Sequence, residues 1–92
     1  MKAKNVLELK IETPEHVYAP REDSFLLARA LENERNVGSA LDLGTGSGFI
    51  GLTLVLLKAK KLSVVDVAGE SLKTAQENFR RNGVRQKISF VQ

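Results

Sequence analysis

Ala40-Leu41-Asp42-Leu43-Gly44-Thr45-Gly46-Ser47-Gly48 decides how the 92-residue chain is read. A short apolar run carries one acid and then opens into three glycines at alternate positions. Phe49 to Leu57 follows, apolar almost throughout. This is the form of a buried strand that ends in a tight turn and feeds a helix packed on a sheet. Glycine has no Cβ and accepts positive φ, so such a turn can bring bare backbone against a ligand.

Outward from this turn the chain alternates between strand and helix patterns. On the C-terminal side, Leu62-Ser63-Val64-Val65-Asp66-Val67 predicts a second β-branched strand ending in an acid. Glu70 to Arg81 predicts a helix with Leu72, Ala75 and Phe79 on one face, stopped by Asn82-Gly83. Lys87 to Val91 predicts a third strand. On the N-terminal side, a helix is expected to begin just after Pro20, with Glu22 and Asp23 at its positive end. Its apolar stripe runs through Phe25, Ala28 and Leu31. Earlier still, Val6 to Glu12 alternates, with Leu7, Leu9 and Ile11 opposed to Glu8, Lys10 and Glu12, and predicts a half-buried strand. The order is β, α, β, α, β, α, β. Beyond the first strand it predicts a parallel sheet with right-handed helical crossovers, half of a doubly wound α/β fold. Residues 1–92 are expected to form one small domain, with 1–38 as N-terminal strand and helix and 39–92 as the βαβαβ half.

Composition narrows the function. Fourteen basic and eleven acidic residues give a net charge of +3, far from the basic stripe of a dedicated nucleic-acid binder. There is no cysteine, so no disulfide framework and no thiolate metal site, and the single histidine, His16, cannot build a metal centre alone. The start Met1-Lys2-Ala3-Lys4-Asn5 leads into no apolar signal region, and Leu54 to Leu57 is too short to span a bilayer. A cytoplasmic protein is expected.

Open α/β sheets bind ligands beyond the carboxyl ends of their strands. Asp42 and Asp66 belong there, and Asp66 stands 22 residues beyond Gly44. An acid at about 20 residues past a glycine turn is placed to accept hydrogen bonds from a ribose diol. The glycine spacing is G-x-G-x-G, whereas a dinucleotide site wants G-x-G-x-x-G. A negative charge at Asp42 would repel a pyrophosphate and favour an ammonium or sulfonium group. The spacing and charge therefore lean toward S-adenosylmethionine, with a nicotinamide nucleotide as the competing ligand. A non-catalytic oligomerising module is the third reading.

Val17-Tyr18-Ala19-Pro20-Arg21-Glu22-Asp23-Ser24-Phe25-Leu26-Leu27, followed by Leu41 to Gly48, resembles the class I methyltransferases of the HemK type. These methylate the N5 nitrogen of a glutamine in translation release factors. Val64-Val65-Asp66-Val67 and Ala75-x-Glu77-Asn78-x-x-x-Asn82-Gly83-Val84 continue the resemblance. It implies a Rossmann-like class I methyltransferase fold that binds S-adenosylmethionine, truncated to its first half. It implies a cofactor site containing Ser24 near the methionine end, Asp42, Gly44, Thr45, Gly46 and Gly48 in the turn, and Asp66 on the ribose. It also implies a release factor as protein partner, with RNA or DNA amino groups as the alternative acceptor.

Two departures matter. The family's serine-proline after the ribose acid is replaced by Ala68-Gly69, at a cost of ~1 kcal/mol in helix capping. The family's acceptor motif, asparagine-proline-proline followed by an aromatic, is absent from these 92 residues. The chain is expected to hold a donor without placing an acceptor, as a fragment or one part of a split enzyme, so no catalytic residue is assigned. The family's strand order leaves the first central strand as an open edge. A homo-oligomer across that edge is expected unless the N-terminal strand covers it.

Overall fold

The computed structural model describes residues 9–34 and 37–92. Three helices and three strands follow in the order α1 (Glu22–Leu31), β1 (Ser39–Leu43), α2 (Phe49–Leu56), β2 (Lys61–Val65), α3 (Gly69–Arg81) and β3 (Ser89–Val91). The strands are parallel in the order β1-β2-β3, with Leu43 opposite Val65 and Val65 opposite Val91. The carboxyl ends of all three therefore lie together.

Two right-handed crossovers that step across a sheet in the same direction must pass over the same face. α2 and α3 connect successive parallel strands, for which the right-handed sense is the rule, and α1 packs on α2, with the Phe25 and Phe49 rings edge to face at 5.1 Å. One face of the sheet is thus covered, and the strand side chains alternate accordingly. Asp42, Leu62 and Val64 point into the covered side and are buried, while Leu41 and Leu43 on the other side are 62% and 76% exposed. The core joins Leu52, Leu54 and Val55 of α2, Leu62 and Val64 of β2, and Leu72 and Phe79 of α3.

Both crossover helices close with the same hydrogen-bond signature. At the end of α3, the Gly83 N–H donates to Arg80 O and the Val84 N–H to Phe79 O, with Gly83 at φ +72°. At the end of α2, the Lys58 N–H donates to Val55 O and the Ala59 N–H to Leu54 O. Both are left-handed C-terminal caps that satisfy otherwise orphaned carbonyls. Asn82-Gly83 is thus the helix stop that the sequence predicts.

Leu9 to Glu12, the described part of the predicted N-terminal strand, are not part of the sheet. Val6, Leu7 and Glu8 lie outside the described residues. Leu9 to Glu12 keep the alternation, with Leu9 and Ile11 against the core and Lys10 and Glu12 exposed, but among the described residues no strand partners them. The Lys10 and Glu12 N–H groups donate instead to the side chains of Asn82, the C-cap of α3, and Asn78 within it, at 2.8 and 2.9 Å. Alternation specifies which side chains are buried, not which donors and acceptors the backbone finds. This stretch therefore does not cover the β1 edge.

The start of α3 carries the loss expected from Ala68-Gly69. Ala68 is the N-cap and makes no side-chain cap hydrogen bond. Ala68→Ser should place a hydroxyl on the free N–H groups of the first turn and raise stability by about 1 kcal/mol, read by urea denaturation.

Candidate functional site

The turn between β1 and α2 sits on the carboxyl end of β2. Gly44 and Thr45 both donate their N–H to Val65 O, at 2.8 and 2.9 Å, extending the ladder past the end of β1. Gly44, Gly46 and Gly48 all have positive φ. The requirement is sharpest at Gly48, at φ +87°, where a Cβ would lie 2.9 Å from Ala75 Cβ and 3.0 Å from Ala75 Cα. The turn is pressed onto α3, and only a bare backbone fits.

Asp42 closes the turn from within. Its Oδ2 accepts from the Thr45 hydroxyl at 2.7 Å and from the Gly51 N–H at 3.0 Å. Gly51 lies in the first turn of α2, so this carboxylate meets a helix N-terminal donor and the positive end of the helix dipole. Ser47 Oγ accepts from the Phe49 N–H at 3.3 Å, and the Leu52 N–H donates to Gly48 O. Two donors at the start of α2, those of Phe49 and Gly51, are therefore taken by side chains of the chain itself. A Cβ on Gly51 would lie 2.9 Å from Phe79 Cζ and 3.3 Å from Asp42 Oδ2, so a bare residue lets the helix reach the acid.

Asp66 closes the turn from the other side. Its Oδ2 accepts from the Gly46 N–H at 3.0 Å and its Oδ1 from the Ala68 N–H at 2.9 Å. A carboxylate has about four acceptor positions, so each oxygen retains capacity for a further donor. The residue after β2 thereby joins the glycine turn to the start of α3.

The upstream segment borders the same turn. Tyr18 O is the nearest atom, at 3.7 Å, to where a Gly46 Cβ would stand. The Arg21 guanidinium lies over the Tyr18 ring, 5.1 Å from its centre, and Tyr18, Arg21, Glu22 and Asp23 line an open depression there. Ser24 follows, half-buried; its N–H donates to Asp23 Oδ1. Among the described residues, Ser24 makes no hydrogen bond to the turn. The structure thus brings together Asp42, Gly44, Thr45, Gly46, Gly48 and Asp66, and leaves Ser24 on the neighbouring helix without a direct link to them.

Two residues quoted only as part of the resemblance, Tyr18 and Asn78, are given no part in the site by the sequence reading. Tyr18 borders the turn with its backbone carbonyl, the nearest atom to the open side of Gly46, which no side-chain pattern signals. Asn78 is fully buried and donates its Nδ2 to Ser47 O at 2.8 Å. Its signal is present in retrospect: Asn78 and Asn82 are polar residues four apart, beside the apolar stripe of α3.

A parallel α/β sheet with a glycine turn and two acids at the carboxyl ends of its strands is a Rossmann-like ligand-binding arrangement. The same fold is seen in a ribosomal protein L11 methylase from Lactobacillus delbrueckii subsp. bulgaricus, which superposes with a TM-score of 0.66 at 24% identity, over 87% of this chain and 42% of that one. The family described as ribosomal protein L11 methyltransferase (PrmA) matches residues 25–92, and the chain belongs to that methyltransferase family. A Methanocaldococcus jannaschii protein named as a candidate protein N5-glutamine methyltransferase is 36% identical over 84 residues, 91% of this chain and 41% of that protein. A release factor glutamine methyltransferase of Chlorobaculum tepidum is 37% identical over 87 residues, 85% of this chain and 30% of that protein. The chain spans less than half the length of these curated relatives. The methyltransferase resemblance and the Rossmann-like fold expected from the sequence are both borne out.

Burial pushes the Asp42 carboxyl above its ordinary value of 3.8. The hydrogen bonds from Thr45 and Gly51 oppose the shift, and the charge of Asp66 adds to it. A carboxyl raised on folding contributes stability that is complete below pH 3.8 and is lost as pH rises through the folded-state value. Asp42→Asn removes this titration while keeping an oxygen for Thr45 and Gly51. The stability of the variant relative to wild type should therefore improve as pH rises through that range and level off above it, in urea denaturation from pH 3 to 7.

Proposed function

We propose that this chain forms the methyl-donor-binding part of a methyltransferase and that its ligand is S-adenosylmethionine. The observation that carries the reading is the use made of the α2 N-terminus. In a dinucleotide site those donors face a pyrophosphate. Here the buried Asp42 carboxylate takes the Gly51 N–H and adds a negative charge beside the turn. A phosphate would meet repulsion there, and a ligand with a sulfonium and an ammonium group would not. Asp66 supplies acceptor capacity for the ribose hydroxyls while holding Gly46, and the glycines expose backbone to the ligand. Ser24, Asp42, Gly44, Thr45, Gly46, Gly48 and Asp66 make up the proposed cofactor site.

S-adenosylmethionine supplies an electrophilic methyl on sulfur. The residues of this chain bind and orient it. Methyl transfer depends chiefly on positioning donor and acceptor in line. The names of the relatives support a glutamine side-chain amide of a translation release factor as the acceptor. The sequence contains no asparagine-proline-proline motif to hold such an amide, so the 92-residue chain is proposed to bind the donor without turning it over. It is proposed to work in the cytoplasm.

Among the described residues the outer edge of β1 has no strand partner, and that edge together with the exposed Leu41 and Leu43 beside it supports association through that surface. In a protein of the relatives' length, the strand order implied by the resemblance puts further strands there. Where those strands are absent, as in an isolated polypeptide of residues 1–92, a second copy takes their place. Sedimentation should report a dimer or larger species, and a monomer at millimolar concentration would contradict the assembly.

Calorimetry with S-adenosylmethionine and with a nicotinamide dinucleotide tests the ligand. The first should bind and the second should not. Asp66→Ala should weaken S-adenosylmethionine binding by about 1–3 kcal/mol, the scale of a hydrogen bond to a charged group. Unchanged affinity would remove Asp66 from the site.

A further inference from the structure

The four hydrogen-bonding positions of the Asn78 carboxamide are divided between separate parts of the chain. Nδ2 donates to Ser47 O in the glycine turn at 2.8 Å and to Glu12 O at 2.9 Å. Oδ1 accepts from the Glu12 N–H at 2.9 Å and from Arg81 Nη1 at 2.9 Å. A primary amide has two donor hydrogens and two principal acceptor positions, so none is left over. Arg81 also pairs with the Glu12 carboxylate at 2.6 Å.

Asn82 repeats the pattern one turn further along α3. Its Oδ1 accepts from the Lys10 N–H and its Nδ2 donates to Lys10 O, both at 2.8 Å. The two asparagines imitate a neighbouring β-strand. The spacing explains why this works. Two residues of extended chain advance about 6.6 Å, and four residues of α-helix advance about 6 Å. Lys10 and Glu12 therefore meet Asn82 and Asn78 in register, with the extended segment running antiparallel to the helix.

We infer that Asn78 is a positioning residue that couples docking of the 9–12 segment to the geometry of the glycine turn. The buried carboxamide cannot reorient while Glu12 holds it from two sides, so its second Nδ2 hydrogen stays aimed at Ser47 O. Removing the segment leaves the amide with two of its four partners gone, in a buried place where unsatisfied polar groups are costly. The amide is then free to turn, and the turn loses a fixed point of support. Coupling of this kind is reciprocal: a ligand that orders the turn tightens the segment, and the segment tightens the ligand site. The ligand-bound half of the inference rests on the reading of the turn as a donor site; the ligand-free half does not.

Amide hydrogen exchange followed by NMR tests both halves, with the Val64 amide at the centre of the sheet as internal reference for global stability. Without ligand, removing residues 1–12 should speed exchange at Gly46 and Gly48 by about tenfold relative to Val64, within the usual range for coupled sites. Asn78→Ala should do the same, and the two changes together should add little to either alone. With the intact chain, saturation by S-adenosylmethionine should slow exchange at Lys10 and Glu12 by a similar factor. If the truncated chain keeps Gly46 and Gly48 at wild-type rates relative to Val64, the coupling is wrong. If truncation abolishes folding, the intact chain decides: ligand that binds without slowing Lys10 and Glu12 overturns the inference. Failure of S-adenosylmethionine to bind at all overturns the proposed function and leaves the ligand-free comparison to decide the coupling.

Discussion

The buried oxygen of Asp42 is the point at which strand, turn and helix close on one another. It lies in β1, takes the Thr45 hydroxyl from the turn, and takes the Gly51 N–H from α2. A buried carboxylate is tolerable only when its lone pairs meet donors. This one draws them from the two elements that must sit beside it. Gly51 has to be bare for that approach, and Gly48 has to be bare for the turn to rest on Ala75. The glycine pattern is therefore as much a packing requirement of α2 and α3 as a means of exposing backbone to a ligand.

Asp66 gives the same turn a second anchor. Its two oxygens hold Gly46 and Ala68, so the end of β2 links the loop to the start of the next helix. With Val65 O accepting from Gly44 and Thr45, the turn is tied to the last residue of β2 and to the residue after it through three hydrogen bonds. A site held in this way loses little conformational freedom when a ligand arrives. The two acids also divide their work by environment: Asp42 is buried and satisfied from inside, whereas Asp66 is partly open and keeps acceptor positions toward solvent.

Much of this was legible in the sequence, and the limits have physical causes. The extent of α2 and the end of α3 follow from a nearly continuous apolar run and from Asn82-Gly83, both local signals. The second strand was expected to include Asp66 and Val67, but β2 ends at Val65, and Asp66 folds its carboxylate back onto Gly46. The third strand was expected from Lys87, and only Ser89–Val91 pair with β2. The alternation of Leu9 to Glu12 survives in their burial, yet hydropathy carries no record of hydrogen-bond partners. Those partners are two side-chain amides 66 and 72 residues away. Asn78 reads in isolation as an ordinary polar residue near a helix end. Its part in the site comes from tertiary contact.

The central claim is that the turn from Gly44 to Gly48, closed by Asp42 and Asp66, is a preformed site for a sulfonium methyl donor. Chemical-shift mapping of backbone amides during titration with S-adenosylmethionine tests it most directly. The account predicts saturable shifts concentrated at Gly44, Gly46, Gly48 and Asp66, with the amides at the centre of β2 unmoved. Shifts confined to the depression between the end of α3 and β3, around Arg80 and Gln86, or no shifts at millimolar ligand, would contradict it.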